Sequence, residues 1–324
     1  MRMTTLGKSG LEVSRICFGT WQLGGEWGSF DEDAAIGAIR HARDLGVNFF
    51  DTAQAYGFGA AESLLGKALR DDIRRDRDSV VIATKGGIEP GGERPRNASR
   101  EFLRRGVEES LRHLGVDHID LYQVHWPDSD TPAEETASAL QELVDEGKIR
   151  HVGVSNYDTA QLAEFDRTRP VETLQPPYHL FRRGIEADPL PYAREHDIGV
   201  LVYSALGSGL LTGALRPDST FEASDWRSQS SAFQGENLRR NLAVVDELKE
   251  FAAGKNATVS QVAIAWVLAQ PGVHVAIVGA RRARNIEDSL AAADLDLTDA
   301  DLAEIERITA KGVQVEGASP EGVA

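Results

Sequence analysis

Eight short apolar runs, helical periodicity in the segments between them, and polar residues collected at the ends of the runs predict an α/β fold with a parallel sheet. By pattern alone that sheet is either closed into a barrel or open and doubly wound. In the closed form the polar run ends converge on one face, the face where barrel enzymes carry their active sites. A chain of 324 residues is long for one domain but ordinary for a single α/β barrel.

After a short polar start, strands are predicted over 15–19, 47–51, 80–85, 119–124, 149–155, 172–175, 199–203 and 275–278. Helices are predicted between them over 31–45, 60–69, 99–114, 132–146, 159–167 and 185–196. Ser99 reads as a cap, Thr131 as a cap followed by Pro132 in the first turn, and Gly147 as a stop. Residues 210–235, rich in Ser, Gly and aromatic side chains, break the rhythm and read as a large loop over the barrel mouth. Two helices in succession follow over 237–253 and 258–269, then the last strand, a helix opening near Arg281, and a final helix over 298–309. The expected domain is therefore 1–311, with 312–324 a mobile tail.

Composition excludes several classes. The chain is 41% hydrophobic and 27% charged, unlike a disordered segment. Its 51 acidic against 35 basic residues give a formal charge of −16, which repels phosphate backbones and anionic lipid, so neither nucleic acid nor membrane is an expected partner. The single cysteine, Cys17, has no intrachain partner, and the first eleven residues contain no long apolar run like that of a signal peptide; a cytoplasmic location is expected. No window reaches the roughly 18 apolar residues of a membrane span.

Asp51 closes the second strand and Lys85 the third; His125 follows the fourth; Ser155 and Asn156 end the fifth, Gln175 the sixth, Tyr203 and Ser204 the seventh. A metal site built on His113, His118 and His125 fails on distance, because strand residues rise about 3.3 Å each and His118 and His125 then stand roughly 20 Å apart. No metal is expected. The run Gly207-Ser208-Gly209-Leu210-Leu211-Thr212-Gly213 has the wrong spacing and the wrong place for a dinucleotide fingerprint, which belongs after a first strand.

In Gly19-Thr20-Trp21, Asn48-Phe49-Phe50-Asp51-Thr52-Ala53 with Tyr56-Gly57, Thr84-Lys85, Gln123-Val124-His125-Trp126, Gly153-Val154-Ser155-Asn156, Tyr203-Ser204 and Gly279-Ala280-Arg281, the chain resembles the aldo-keto reductase superfamily over nearly its whole length. It looks most like the bacterial branch that also resembles potassium-channel β subunits. The resemblance implies a single-domain (β/α)8 TIM barrel and a catalytic tetrad of Asp51, Tyr56, Lys85 and His125. Each role also makes chemical sense. A carbonyl that accepts hydride gains negative charge on oxygen and needs a proton donor, which Tyr56 supplies. A phenol of ordinary pKa near 10 donates poorly at neutral pH; an ammonium beside it, Lys85, favours the phenolate and eases donation. Asp51 would pair with Lys85, since an unpaired charge inside a partly dry barrel is costly. His125 would orient the carbonyl and donate a hydrogen bond to its oxygen.

The resemblance further implies NADPH/NADP+ as cofactor. Gly19, Thr20 and Trp21 would border the nicotinamide ring, Ser155, Asn156 and Gln175 its carboxamide, and Tyr203 would stack on it. The backbone of Ala205, Leu206, Gly207, Ser208, Gly209 and Leu210 would wrap the pyrophosphate, glycine allowing the close approach, and Ser204 is a further cofactor candidate. Gly279 and Ala280 lead to Arg281, Arg282 and Arg284 at the start of a helix, where positive side chains oppose the helix dipole unless an anion is bound. A cluster of arginines there, in an acidic chain, favours the 2′-phosphate of NADPH over NADH. Asn285 and Asp288-Ser289 stand where relatives commonly carry Gln and Glu-Asn or Asp-Asn around the adenine, and His179 where relatives often carry Asn.

Trp21, Tyr56, Phe58, His125, Trp126, Phe221 and Trp226 are the candidate substrate residues, and the aromatic ones suit an aldehyde or ketone with some apolar bulk. Alternatively those aromatics pack the rim. The expected activity is NADPH-dependent reduction of aldehydes or ketones to alcohols by a monomer or homo-oligomer. Two other readings stand beside it: a cofactor-sensing regulatory subunit with little turnover, and a different barrel enzyme such as a hydrolase using Asp51 and a Glu.

Overall fold

The computed structural model describes residues 1–25, 29–89, 91, 95–222 and 225–315. Its barrel strands are β3 (Ile16–Gly19), β4 (Phe49–Asp51), β5 (Val81–Gly86), β6 (Ile119–Val124), β7 (Ile149–Ser155), β8 (Thr173–Gln175), β9 (Gly199–Val202) and β10 (Val275–Gly279). All neighbours run parallel in chain order, and β10 pairs with β3 from Ala276↔Ile16 to Gly279↔Gly19, which closes the sheet and eliminates the open, doubly wound form. The fold is an eight-stranded α/β barrel.

Its helices are α1 (Glu32–Asp44), α2 (Ala60–Arg75), α3 (Arg100–Leu114), α4 (Ala133–Asp145), α5 (Thr159–Asp166), α6 (Leu190–Glu195), α7 (Gly235–Gly254), α8 (Val259–Ala269), α9 (Ala283–Ala291) and α10 (Asp299–Thr309). Two caps differ from expectation. Ser99 stands at the N-terminus of α3 but its hydroxyl donates to Asn97 Oδ1 at 2.7 Å, and α4 is preceded directly by Pro132, because Thr131 turns its hydroxyl to Asp128 Oδ2 at 2.6 Å. In both places the hydroxyl is turned toward a nearby side-chain oxygen, and the N-cap residue accepts from no helix N–H. Gly147 does end α4, at φ +73°, with its N–H on Val144 O at 2.9 Å.

The polar start is a structured element that alternation over so few residues could not reveal. β1 (Met3–Thr5) pairs antiparallel with β2 (Glu12–Ser14), and the hairpin carries Leu6 and Val13 into complete burial. These two join Cys17, Phe49, Val81, Ala83, Leu121, Leu201, Val275 and Ile277 in one apolar cluster. A separate, larger cluster takes Ile16, Phe18, Phe50, Ile82, Tyr122, Val152, Val154, Leu174, Val200 and Val202 together with the helices. Apart from Ile119 and Ile149, the first residues of β6 and β7, which belong to the larger cluster, the division follows from the strand period of two: odd-numbered strand residues point into the barrel and even-numbered ones toward the helical layer.

Between β9 and α7 the chain makes short 3-10 turns at Gly207–Thr212, Trp226–Ser228 and Ser231–Phe233; residues 223–224 of the expected mouth loop lie outside the described residues. Of the expected tail, 316–324 lie outside them as well. Residues 312–315 are tied down, Val313 N–H donating to Asn241 Oδ1 at 2.7 Å and Val315 N–H to Phe181 O.

Candidate active site

The same period of two sets the upper end of the barrel. Asp51, Lys85, Gln123, Ser155, Gln175 and Gly279 are all odd-numbered residues in the last turns of their strands, so their side-chain positions face inward above the apolar cluster. The structure brings the four candidate tetrad residues together there. Lys85 is fully buried, and its ammonium donates to Asp51 Oδ1 at 2.6 Å, to Thr52 O at 2.9 Å and to the Tyr56 phenol oxygen at 3.3 Å. Three donors and three acceptors match, which is the condition for keeping a charge out of water. An ammonium can only donate, so the phenol oxygen is the acceptor in the last contact and its own hydrogen is not consumed by it.

Tyr56 reaches this point on a loop of unusual shape. Gly57, Phe58 and Gly59 all have positive φ, +60°, +53° and +90°. A Cβ at Gly57 would stand 2.2 Å from Gly24 O, so only glycine allows the loop to press against the turn after β3. The Tyr56 ring is 4% exposed, with His125 edge-on at 5.7 Å between centroids and Trp21 tilted at 6.4 Å.

A cleft of about 700 Å³ runs from this cluster along the barrel rim. At its inner end stand Gly19, Trp21, Asp51, Tyr56, Gln175, Tyr203 and Gly279, the partner of Gly19 across the closing strand pair; its middle is walled by Ser204, Ala205, Leu206, Ser208 and Gly209; its outer end carries Arg284, Asn285, Asp288 and Ser289. Gln175 Nε2 donates to Asp51 Oδ2 at 2.9 Å. The Tyr203 hydroxyl donates to Asn156 Oδ1 at 2.8 Å, and Asn156 Nδ2 to His125 O at 3.1 Å and Ser155 Oγ at 3.0 Å. Asp288 accepts from Gln261 Nε2 at 2.9 Å.

Several candidate cofactor residues lie behind the cleft wall. Thr20, Ser155, Leu210 and Ala280 are buried in the packing, and Gly207 sits against His179. Of the three arginines, Arg284 alone lines the cleft; Arg281 instead donates from Nε to Gln22 O at 3.3 Å and stacks 6.0 Å from Phe30, and Arg282 is the residue before α9. Burial pushes the His179 imidazole down to about 3, so it is neutral, and its Nδ1 accepts from Phe181 N–H at 3.2 Å.

On the substrate side the aromatics divide. Phe58 is 72% exposed at the mouth, and Trp126 is covered on one face by Arg96 at 4.9 Å. Phe221 and Trp226 are not among the residues lining the cleft; both pack edge-on against Phe233, at 5.6 and 5.5 Å, and with it against the larger apolar cluster. Sequence reasoning missed Arg227, which lines the cleft, holds Asp225 with Nη2–Oδ2 at 2.6 Å, donates to Ser208 O at 3.2 Å and covers Phe221 at 4.4 Å. It also missed the cleft residues Gln22, Thr212, Thr258 and Ser260. These approach from loops and from α8, where no strand period marks them. Among the described residues, no three His, Cys, Asp or Glu side chains group as metal ligands, and no helix is long and apolar enough to cross a membrane.

Comparison with known proteins adds a family. The model of the Aldo/keto reductase family matches residues 15–310. The chain is 42% identical over 290 residues, 89% of it and 87% of the relative, to the aldo-keto reductase YhdN of Bacillus subtilis. It is 34% identical to the NADH-specific methylglyoxal reductase of Escherichia coli, covering 93% and 96% of the two chains, and 34% identical to the aldo-keto reductase yakc [NADP(+)] of Schizosaccharomyces pombe, covering 90% and 87%. A solved glycerol dehydrogenase from Gluconobacter oxydans superposes with a TM-score of 0.87 at 38% identity, over 100% of this chain and 98% of that one.

Proposed function

The chain belongs to the aldo/keto reductase family and is an NAD(P)H-dependent oxidoreductase of small carbonyl compounds; from that premise we propose that NADPH is its preferred reductant and that Tyr56 protonates the carbonyl oxygen. The observation that carries this reading is the buried Lys85 ammonium held between the Asp51 carboxylate and the Tyr56 phenol oxygen at the inner end of a long cleft.

The residues present fit a dinucleotide. The outer end of the cleft offers the Arg284 guanidinium in the first turn of α9, a place that favours an anion, and the middle offers the tight backbone turn through Ser208 and Gly209, where side chains are smallest. Gln175 at the inner end would hold the carboxamide and Tyr203 would face the ring. When bound, the reduced cofactor supplies hydride to the carbonyl carbon. The chain itself does the rest. Asp51 and Thr52 O fix the ammonium; the ammonium's donation to the phenol oxygen stabilises the charge left when Tyr56 gives up its proton; and Trp21 and His125 confine the carbonyl against the phenol. Burial of the whole cluster keeps these interactions undiluted by water.

The named relatives divide between cofactors, one NADH-specific and one using NADP(+). Arg284, with its neighbour Asn285, favours the phosphorylated form here. Tyr56→Phe is expected to lower the turnover of NADPH with an aldehyde panel by about 10²- to 10⁴-fold while NADPH still quenches the protein fluorescence; unchanged turnover refutes the role. Arg284→Gln is expected to raise the KM for NADPH about tenfold and leave that for NADH alone, read from the same absorbance assay.

A further inference from the structure

We infer that Gln123, which touches neither cofactor nor substrate, is a positioning residue that fixes the orientation of the Gln175 amide and thereby presents the Gln175 carbonyl oxygen to the nicotinamide carboxamide. The inference rests on the reading of Gln175 as the carboxamide contact.

The register places Gln123 one layer below the cleft. Ser155 pairs with Gln175, whereas Gln123 pairs with Lys85 on one side and with Gly153, two residues beneath Ser155, on the other. Gln123 is fully buried and does not line the cleft. It has room because Gly153 carries no side chain: a Cβ there would stand 2.0 Å from Thr173 Oγ1 and 3.1 Å from Gln123 Cγ.

Gln175 has two amide hydrogens and one carbonyl oxygen to place. The carboxylate of Asp51, ionised against Lys85, can only accept, so the nitrogen of Gln175 must face it, at 2.9 Å from Oδ2. Gln123 Oε1 takes the second side of the same nitrogen at 3.4 Å. Both hydrogens are thus directed inward, and the carbonyl oxygen, which makes no hydrogen bond to the described residues, is left for the cleft that Gln175 lines. A carboxamide NH₂ is the complementary donor. The Asn156 Oδ1 already accepts one hydrogen bond, from Tyr203.

Packing does not explain a glutamine here. Gln123 Nε2 is buried and bonded to no described group, a burden of about 1–3 kcal/mol that methionine of similar volume would not carry. What the amide adds is its acceptor oxygen, and among the described residues that oxygen bonds to Gln175.

The test compares two ligands on the full chain by calorimetric titration: NADP+, and 2′-phospho-ADP-ribose, the same molecule without nicotinamide. Gln123→Met is expected to weaken NADP+ about tenfold, leave the truncated ligand within about twofold, and leave the melting temperature unchanged or raised. Gln123→Glu, which keeps the acceptor, is expected to restore the wild-type ratio of the two affinities. Equal weakening of both ligands, no weakening of either, failure of Gln123→Met to fold, or a ratio that Gln123→Glu does not restore overturns the inference. Gln175→Met separates the two layers of the reasoning. If it too leaves the ratio at the wild-type value, the reading of Gln175 itself is wrong; if it lowers the ratio and Gln123→Met does not, only the role of Gln123 is lost.

Discussion

The two ends of the barrel interior are built from the same eight strands in the same inward register, yet they do opposite things. At the lower end Cys17, Phe49, Val81, Leu121, Leu201 and Val275 pack with Leu6 and Val13 of the hairpin in one apolar cluster. Above it, Asp51, Lys85 and Gln175, with Gln123 one layer beneath Gln175, fill the interior with amides and a full ion pair. Apolar burial stabilises at about 25 cal/mol per Å², whereas a buried ion pair roughly breaks even at best. The lower end holds the fold and the upper end spends part of that stability on a fixed charge. Activity and stability should therefore respond separately to changes at the two ends.

The largest expected effect tests the upper end. Lys85→Met leaves the Asp51 carboxylate buried without its cation and should cost about 3–5 kcal/mol in urea unfolding, along with nearly all turnover. Adding Asp51→Asn should restore most of the stability and none of the turnover; if both return, or neither, the two ends are not distinguished as stated. At the lower end, Leu6→Ala should cost about 2–5 kcal/mol by opening a cavity under the barrel while kcat with NADPH stays within twofold. A matching fall in kcat would show that the hairpin reaches the site.

A smaller effect concerns the wall behind the cleft. His179 is neutral in the folded chain, its pKa lowered to about 3 by burial, whereas the unfolded chain takes up a proton near 6.5. The unfolded state binds more protons between those values, so this residue lowers stability as pH falls below about 6.5. Between pH 7 and pH 5 the wild type should lose about 2 kcal/mol more than His179→Asn, which keeps an acceptor for Phe181 N–H. Parallel pH profiles for the two proteins would remove His179 from that account.

Legibility differed between the ends in the same way. The polar strand ends Asp51, Lys85, His125 and Gln175 stood out because each interrupts an apolar run at the turn. The hairpin did not, since three-residue strands carry too little alternation to separate from a loop. Gln123 enters the sequence only as part of Gln123-Val124-His125-Trp126, and nothing in the linear order says that Gly153 leaves it space or that Gln175 lies above it. Phe221 and Trp226, which read equally as substrate residues or as rim packing, meet through Phe233, a choice between equivalent apolar surfaces that composition cannot make.

Sequence by itself determined the repeated strand and helix order and which polar residues end the strands, because these depend on spacing along one chain. Tertiary structure alone decided that the last strand meets the first, that one arginine of three reaches the cleft, and that Lys85 finds its three acceptors. Those outcomes depend on distances of a few ångströms between segments far apart in sequence, and such distances exist only after the sheet has closed.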